Sequence, residues 1–128
     1  MNINIYYGGR GLVDDPTILV INKIQEVLDE LNVNVNRYNL YEMKNTITTL
    51  SQTVTEADGI ILATTVEWVG MGGYMQTFLD SCWLYSDKSQ ILDKYMFPVV
   101  MARTYGEREV TLALNNSWEK VGGQAVLG

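Results

Sequence analysis

The chain has 128 residues, of which 47% are hydrophobic and 19% charged, and these values predict one folded domain over residues 1–128. It contains no histidine and one cysteine, which excludes Ser-His-Asp and Cys-His catalysis, histidine-bound zinc, thiolate metal cages and internal disulfides. The net charge of −6 argues against nucleic acid and anionic membrane surfaces as partners, and the lack of a signal-like or membrane-spanning run predicts a cytoplasmic protein.

The chain begins with a short β-rich segment, residues 3–7, which runs directly into a glycine-rich loop, residues 8–11. Asp15 followed by Pro16 is typical of a helix N-cap with proline at the first helical position. Apolar residues at helical spacing then predict a helix over residues 16–31.

The next elements are a strand, a weak helix and a strand that is apolar on both faces. Residues 33–38 alternate between two sets of side chains, which favours a strand near a sheet edge, and a second, weaker helix is expected around residues 47–57. Residues 60–64 are typical of the middle strand of a parallel sheet that helices cover on both sides. A loop then leads into a helix over residues 72–85.

The last third repeats this alternation. Residues 95–102 have the pattern of a second buried strand, and a loop at residues 103–106 connects it to a helix over residues 107–121. Gly122-Gly123 ends that helix, and residues 125–127 begin a further strand. The succession of strands and helices predicts an open, doubly wound α/β sheet, in which ligands bind at the carboxyl ends of the strands.

The most distinctive sequence lies in the middle of the chain, where residues 61–80 read ILATTVEWVGMGGYMQTFLD. This segment resembles the third strand and following loop of the flavodoxin-fold NADPH-dependent FMN reductases. The positions that match are the apolar strand itself and Thr64, Val66, Trp68, Met71, Gly73 and residues 78–80. Strand and helix order match the family more loosely over the whole chain.

The resemblance implies a three-layer flavodoxin-like fold with the sheet order 2-1-3-4-5, a bound FMN, and hydride received from NAD(P)H and passed to a small acceptor such as a flavin or a quinone. Family members continue through a fifth strand and a last helix. The comparison therefore indicates that the C-terminal part is truncated here or that a partner chain supplies the last layer, and a homodimer or higher homo-oligomer is expected.

The resemblance also implies which residues form the site. Trp68 is expected against or beside the flavin, the backbone of residues 66–70 at its polar edge, and residues 103–106 on the other side of the ring. The expected cofactor-binding residues are Gly9, Arg10, Thr17, Thr65, Val66, Glu67, Trp68, Val69, Gly70, Met71, Arg103, Thr104, Tyr105 and Gly106. No catalytic side chain is expected, because the flavin itself carries the chemistry. No metal ligand is expected either, because acidic residues at the start of a helix, such as Asp14 and Asp15, stabilise the helix without a metal.

The first loop departs from the family pattern, which usually places serine, threonine or asparagine where the FMN phosphate is held. Arg10 and Thr17 are the residues here that can hold a phosphate. Asp14 and Asp15 add negative charge, however, and an Asp15 cap occupies the amides that a phosphate needs. The loop therefore predicts FMN binding that is weak, altered or lost.

A second departure is Glu67, where the family often has a neutral residue; if this carboxylate faces the ring, it disfavours the anionic reduced flavin and lowers the reduction potential. The alternative to an enzyme is a flavodoxin-like module that has lost flavin binding and serves regulation or assembly. A receiver domain is excluded because Thr64 stands where its aspartate would be. Cys82 is predicted to be buried, whereas Trp83 and Tyr85 fit either the core or a contact between subunits.

Overall fold

The computed structural model describes residues 1–68 and 70–126. Their five strands form one parallel sheet in the order β2-β1-β3-β4-β5, which confirms the flavodoxin-like order. The strands are β1 (Asn2–Tyr7), β2 (Asn34–Asn39), β3 (Gly59–Thr65), β4 (Tyr95–Met101) and β5 (Gln124–Ala125). The helices are α1 (Pro16–Glu30), α2 (Ile47–Leu50), α3 (Gly73–Tyr85), α4 (Lys88–Ile91) and α5 (Glu107–Lys120), with 3₁₀ turns at Leu40–Glu42 and Ser51–Glu56.

Helix α1 begins where its sequence predicts. The Asp15 side chain accepts a hydrogen bond from the Thr17 N–H at 2.9 Å, which is the bond of an N-cap, and Pro16 occupies the first helical position. Ile21, a residue of this helix, is fully buried. The α1 side of the sheet therefore holds a small apolar core with Ile5, Tyr7, Ile21, Ala63 and Val99.

The opposite face of the sheet carries the larger core, which α3 and α5 cover. Tyr6 points to this face because side chains alternate along a strand, and its ring stacks on those of Phe78 and Tyr38, with centroids 4.3 and 5.1 Å away. Cys82 is buried in this core as predicted. Trp83 and Tyr85 lie largely exposed at the end of α3, so they do not belong to the core.

The weak helix predicted around residues 47–57 is only partly present, as α2 and the 3₁₀ turn after it. Threonine explains the difference: the hydroxyls of Thr49, Thr53 and Thr55 each donate to the carbonyl three residues earlier. Such local bonds compete with regular α-helical hydrogen bonding. The segment therefore tightens into a 3₁₀ turn.

The prediction that β4 is buried on both faces is wrong for Tyr95 and Phe97, which are 58% and 48% exposed. On their side of the sheet α1 leaves an apolar groove of about 270 Å³ beside β4, lined among others by Ile24 and Leu28. An apolar strand sequence therefore does not by itself predict whether a helix covers both faces of the strand.

The C-terminal turn agrees with the sequence, since Gly122 has a φ of +113° just after α5. In the strand predicted over residues 125–127, Ala125 belongs to β5 and residue 127 lies outside the described residues. No helix within residues 1–68 and 70–126 is long and apolar enough to cross a membrane.

Candidate functional site

The carboxyl ends of β1, β3 and β4 lie side by side, and the chain reverses its winding direction between β1 and β3. The loops that follow are tied to neighbouring strands: the Gly8 N–H donates to the Ala63 carbonyl at 2.8 Å, and the Val66 N–H donates to the Met101 carbonyl at 2.9 Å. These loops surround a cleft of about 160 Å³ lined by Arg10, Leu12, Asp15, Thr65, Val66, Glu67 and Arg103.

The Asp15 carboxylate accepts three hydrogen bonds at this edge of the sheet, and the residue is only 4% exposed. One carboxylate oxygen accepts from the Thr17 N–H and from the Thr65 hydroxyl, and the other accepts from the Tyr7 hydroxyl. The Tyr7 oxygen in turn accepts from the Gly11 N–H at 3.1 Å. Burial, and then the hydrogen bond to Asp15, raises the pKa of Tyr7 well above its usual value, so its phenol remains a neutral donor.

The glycines of the first loop are packed by the chain's own side chains. A Cβ added at Gly9 would lie 2.8 Å from Asp15 Oδ2 and closer still to the Tyr7 hydroxyl. At Gly11 it would collide with the ring of Tyr41. Glycine is therefore required here because protein atoms, rather than open space, lie against the backbone.

The loop after β3 forms a tight hairpin. The Glu67 N–H donates to the Gly70 carbonyl at 2.9 Å, and the Gly70 N–H donates to the Glu67 carbonyl at 2.7 Å. Trp68 lies at the tip with a φ of +50° and is fully exposed. A non-glycine residue in this backbone region costs of order 1–3 kcal/mol, and such strain is concentrated at functional sites.

The charged side chains around the cleft pair with one another. Arg10 Nε donates to Glu67 Oε1 at 2.7 Å, and Arg103 Nη2 donates to Asp14 Oδ1 at 3.2 Å. The other Glu67 oxygen lies against Gly72 at the start of α3, where an added Cβ would be 3.2 Å from it. Both arginines expected to bind the cofactor therefore already have a carboxylate partner.

The structure places the other expected site residues in two groups. Thr104 and Tyr105 lie exposed on the loop after β4, and Gly106 caps α5 with a φ of +106°. Thr17 and Met71, in contrast, are buried: the Thr17 hydroxyl donates to the Thr64 carbonyl at 3.1 Å, and the Met71 side chain lies in the larger core. Val69 lies outside the described residues.

Sequence reasoning missed several residues of this region. The sequence pattern places Tyr7 only in the first strand, although its hydroxyl donates to Asp15. The pattern gives no signal for Tyr41, whose ring lies against Gly11. Leu12 and Val13 are exposed apolar residues of the first loop, and Val13 is fully exposed. Apolar residues between a glycine-rich loop and a helix N-cap are the signal that could have identified them.

Comparison with known proteins gives the family. The model of the NADPH-dependent FMN reductases matches residues 18–128, so the chain belongs to that family. The cofactor of this family is FMN, with a nicotinamide nucleotide as the electron donor. No curated protein matched the chain.

Solved structures confirm the fold. An apo NADH:FMN oxidoreductase has a TM-score of 0.76 at 16% identity, over 99% of this chain and 72% of that one. The NAD(P)H:quinone oxidoreductase from Methanothermobacter marburgensis has a TM-score of 0.78 at 13% identity, over 99% and 81%. A FMN-dependent NADH-azoreductase from Bacillus anthracis, in complex with FMN, has a TM-score of 0.76 at 10% identity, over 98% and 86%.

The region fits the two ends of FMN differently. Trp68 and Tyr105 are exposed and offer aromatic surface to a flat ring. The cleft, lined among others by Glu67 and Arg103, has a volume of about 160 Å³, smaller than the roughly 300–1,000 Å³ typical of small-molecule sites. A bound ring would therefore have to extend beyond the cleft, over the loops. The phosphate does not fit at the start of α1, because the Asp15 carboxylate fills that position.

Proposed function

We propose that this chain is an NAD(P)H-dependent oxidoreductase that binds FMN over the carboxyl edge of its sheet and passes electrons to a small acceptor such as a flavin or a quinone. The observation that carries the proposal is Trp68, an aromatic side chain held fully exposed at the tip of the loop after the central strand β3. In open α/β sheets this edge is where ligands bind.

The ring would be held by aromatic surface from two loops. Trp68 supplies one side, and Tyr105, which is 68% exposed, lies on the loop after β4. Stacking between aromatic rings is worth about 0.5–1.5 kcal/mol beyond the burial of area. When bound, FMN supplies the ring that accepts a hydride, and the protein supplies position and charge.

The polar edge of the ring would meet side chains more than backbone. The N–H groups of Val66, Glu67 and Gly70 all donate within the chain, so these amides are already engaged. Arg10 and Arg103 line the cleft, and their bonds to Glu67 and Asp14 engage only Nε of Arg10 and Nη2 of Arg103, whereas each guanidinium has five N–H donors. We therefore assign the polar contacts of the ring to these two arginines.

The experiment that tests the proposal compares Trp68→Ala with Trp83→Ala, since Trp83 is also exposed but lies at the far end of α3. Quenching of FMN fluorescence measures affinity, and oxidation of NADH or NADPH with a quinone acceptor measures activity. We expect saturable quenching by the wild-type chain, about tenfold weaker binding after Trp68→Ala and no change after Trp83→Ala. A wild-type chain that neither binds FMN nor oxidises NAD(P)H contradicts the proposal.

A further inference from the structure

We propose that Asp15 stands in for the phosphate of the flavin, so that the site recognises a flavin by its ring and binds riboflavin as tightly as FMN. This inference rests on the flavin site proposed above and concerns its selectivity. Riboflavin differs from FMN only by ending in a hydroxyl, whereas FMN ends in a phosphate.

The first step is that the Asp15 carboxylate already occupies the anion position at the start of α1. A helix N-terminus attracts anions through its free N–H groups and its dipole. Here Pro16 has no N–H, and the Thr17 N–H donates to Asp15. The Asp15 carboxylate also receives the hydroxyls of Tyr7 and Thr65, so a buried anion with three donors already occupies the place of a phosphate.

The second step is that no room remains beside it. The backbone of the first loop, which would have to wrap a phosphate, lies against Asp15 and Tyr7 at Gly9 and against Tyr41 at Gly11. Protein interiors are close-packed, so a phosphate enters only if these side chains move.

The third step is that the neighbouring charges do not favour a phosphate elsewhere on this edge. The Glu67 carboxylate lies beside Gly72 at the start of α3, and Glu107 and Glu109 lie in the first turn of α5. Around the cleft, Arg10 and Arg103 face three carboxylates, those of Glu67, Asp14 and Asp15, and the first two already pair with the arginines. A phosphate group with a charge of about −1.5 to −2 therefore gains no net attraction by leaving water. The uncharged end of riboflavin meets no such repulsion.

The test measures the dissociation constants of riboflavin and FMN side by side, by quenching of flavin fluorescence, for the full-length wild type and three variants. Asp15→Asn removes the charge and keeps the shape, and Asp15→Ser keeps an N-capping oxygen while opening space. Asp29→Asn is the control, because it removes an equal charge from an exposed position near the other end of α1. The ratio of the two constants corrects for any general effect of a variant on folding or on the ring site.

We expect wild type and Asp29→Asn to bind the two flavins within about threefold of each other, and Asp15→Asn and Asp15→Ser to shift the ratio at least tenfold towards FMN. A wild type that prefers FMN tenfold or more overturns the inference and leaves the proposed function standing, as does a ratio that neither Asp15 variant moves. Failure of the wild type to bind either flavin overturns both. The wild-type ratio requires no variant, so the test stands even if the Asp15 variants fold poorly.

Discussion

Glu67 and Arg10 form a hydrogen-bonded ion pair, with 2.7 Å between Oε1 and Nε, that joins the loop after β3 to the loop after β1. The two residues are 57 positions apart in the chain. The sequence predicts that the Arg10 guanidinium can hold a phosphate, whereas in the structure it pairs with a carboxylate of the neighbouring loop. Because both side chains reach solvent, the pair neutralises charge more than it stabilises the fold.

Glu67→Gln removes a negative charge from the cleft and should raise the affinity for FMN by a few fold more than the affinity for riboflavin, because only FMN carries a phosphate. The free energy of unfolding should change by less than about 1 kcal/mol, because exposed ion pairs contribute little. Flavin titrations and urea unfolding measure the two quantities. Glu26→Gln, on the exposed face of α1, is the matched control. Weaker FMN binding after Glu67→Gln would show that Glu67 does not oppose the phosphate.

Asp15→Ala should lower the free energy of unfolding by about 2.5–4 kcal/mol. The change removes an N-cap, worth about 1 kcal/mol, and charge-assisted bonds from Tyr7 and Thr65, worth about 1.5–3 kcal/mol together with the buried groups left unpaired. Asp14→Ala, which alters an exposed neighbour, should cost less than about 0.5 kcal/mol. Equal losses for the two variants in urea unfolding would show that the Asp15 network is not formed in solution.

Stability should fall as the pH rises above about 9, with Cys82 as the first cause. Burial raises the pKa of the Cys82 thiol from 9.0 to about 12, so the folded chain keeps a proton that the unfolded chain releases. The stabilisation is complete below pH 9 and is lost above it, by about 1 kcal/mol between pH 9 and pH 10. Burial of Tyr6 and Tyr7 raises their pKa values too and adds a steeper loss above pH 10.

Urea unfolding at these pH values measures this effect, with Cys82→Ala as the comparison. The variant should be less stable overall, since it loses a buried side chain, but its stability should decline less between pH 9 and pH 10. Parallel curves for the two proteins would mean that the thiol titrates normally in the folded chain.

Trp68→Gly should weaken FMN binding about tenfold without destabilising the fold. Glycine adopts a φ of +50° without strain, and the exposed indole has no core contact to lose. The free energy of unfolding should therefore stay equal or rise by up to about 1 kcal/mol. A loss of more than 1 kcal/mol in urea unfolding would indicate that the indole packs against the protein.

Local patterns explain how much of the fold could be predicted. The buried strand β3, the N-cap at Asp15 and the glycine after α5 all follow from residues adjacent in sequence, and the structure confirms them. The exposure of Phe97 could not be predicted in this way, because it depends on how far α1 reaches across the sheet.

The candidate site was predictable as a set of loops and not as a set of contacts. Asp15 was identified as a cap, but its bond from Thr65 spans 50 positions of the chain. Likewise, the ion pair between Arg10 and Glu67 depends on the sheet order that places β1 beside β3. Such pairings arise from the tertiary fold, so a single sequence does not specify them.

The measurement that tests the central claim most directly is a titration of the wild-type chain into FMN, followed by addition of NADH or NADPH to the saturated mixture. The account predicts saturable quenching of flavin fluorescence and then bleaching of the flavin absorbance by at least one of the two nucleotides. Flavin fluorescence that stays unchanged across the titration, with no bleaching by either nucleotide, would contradict it.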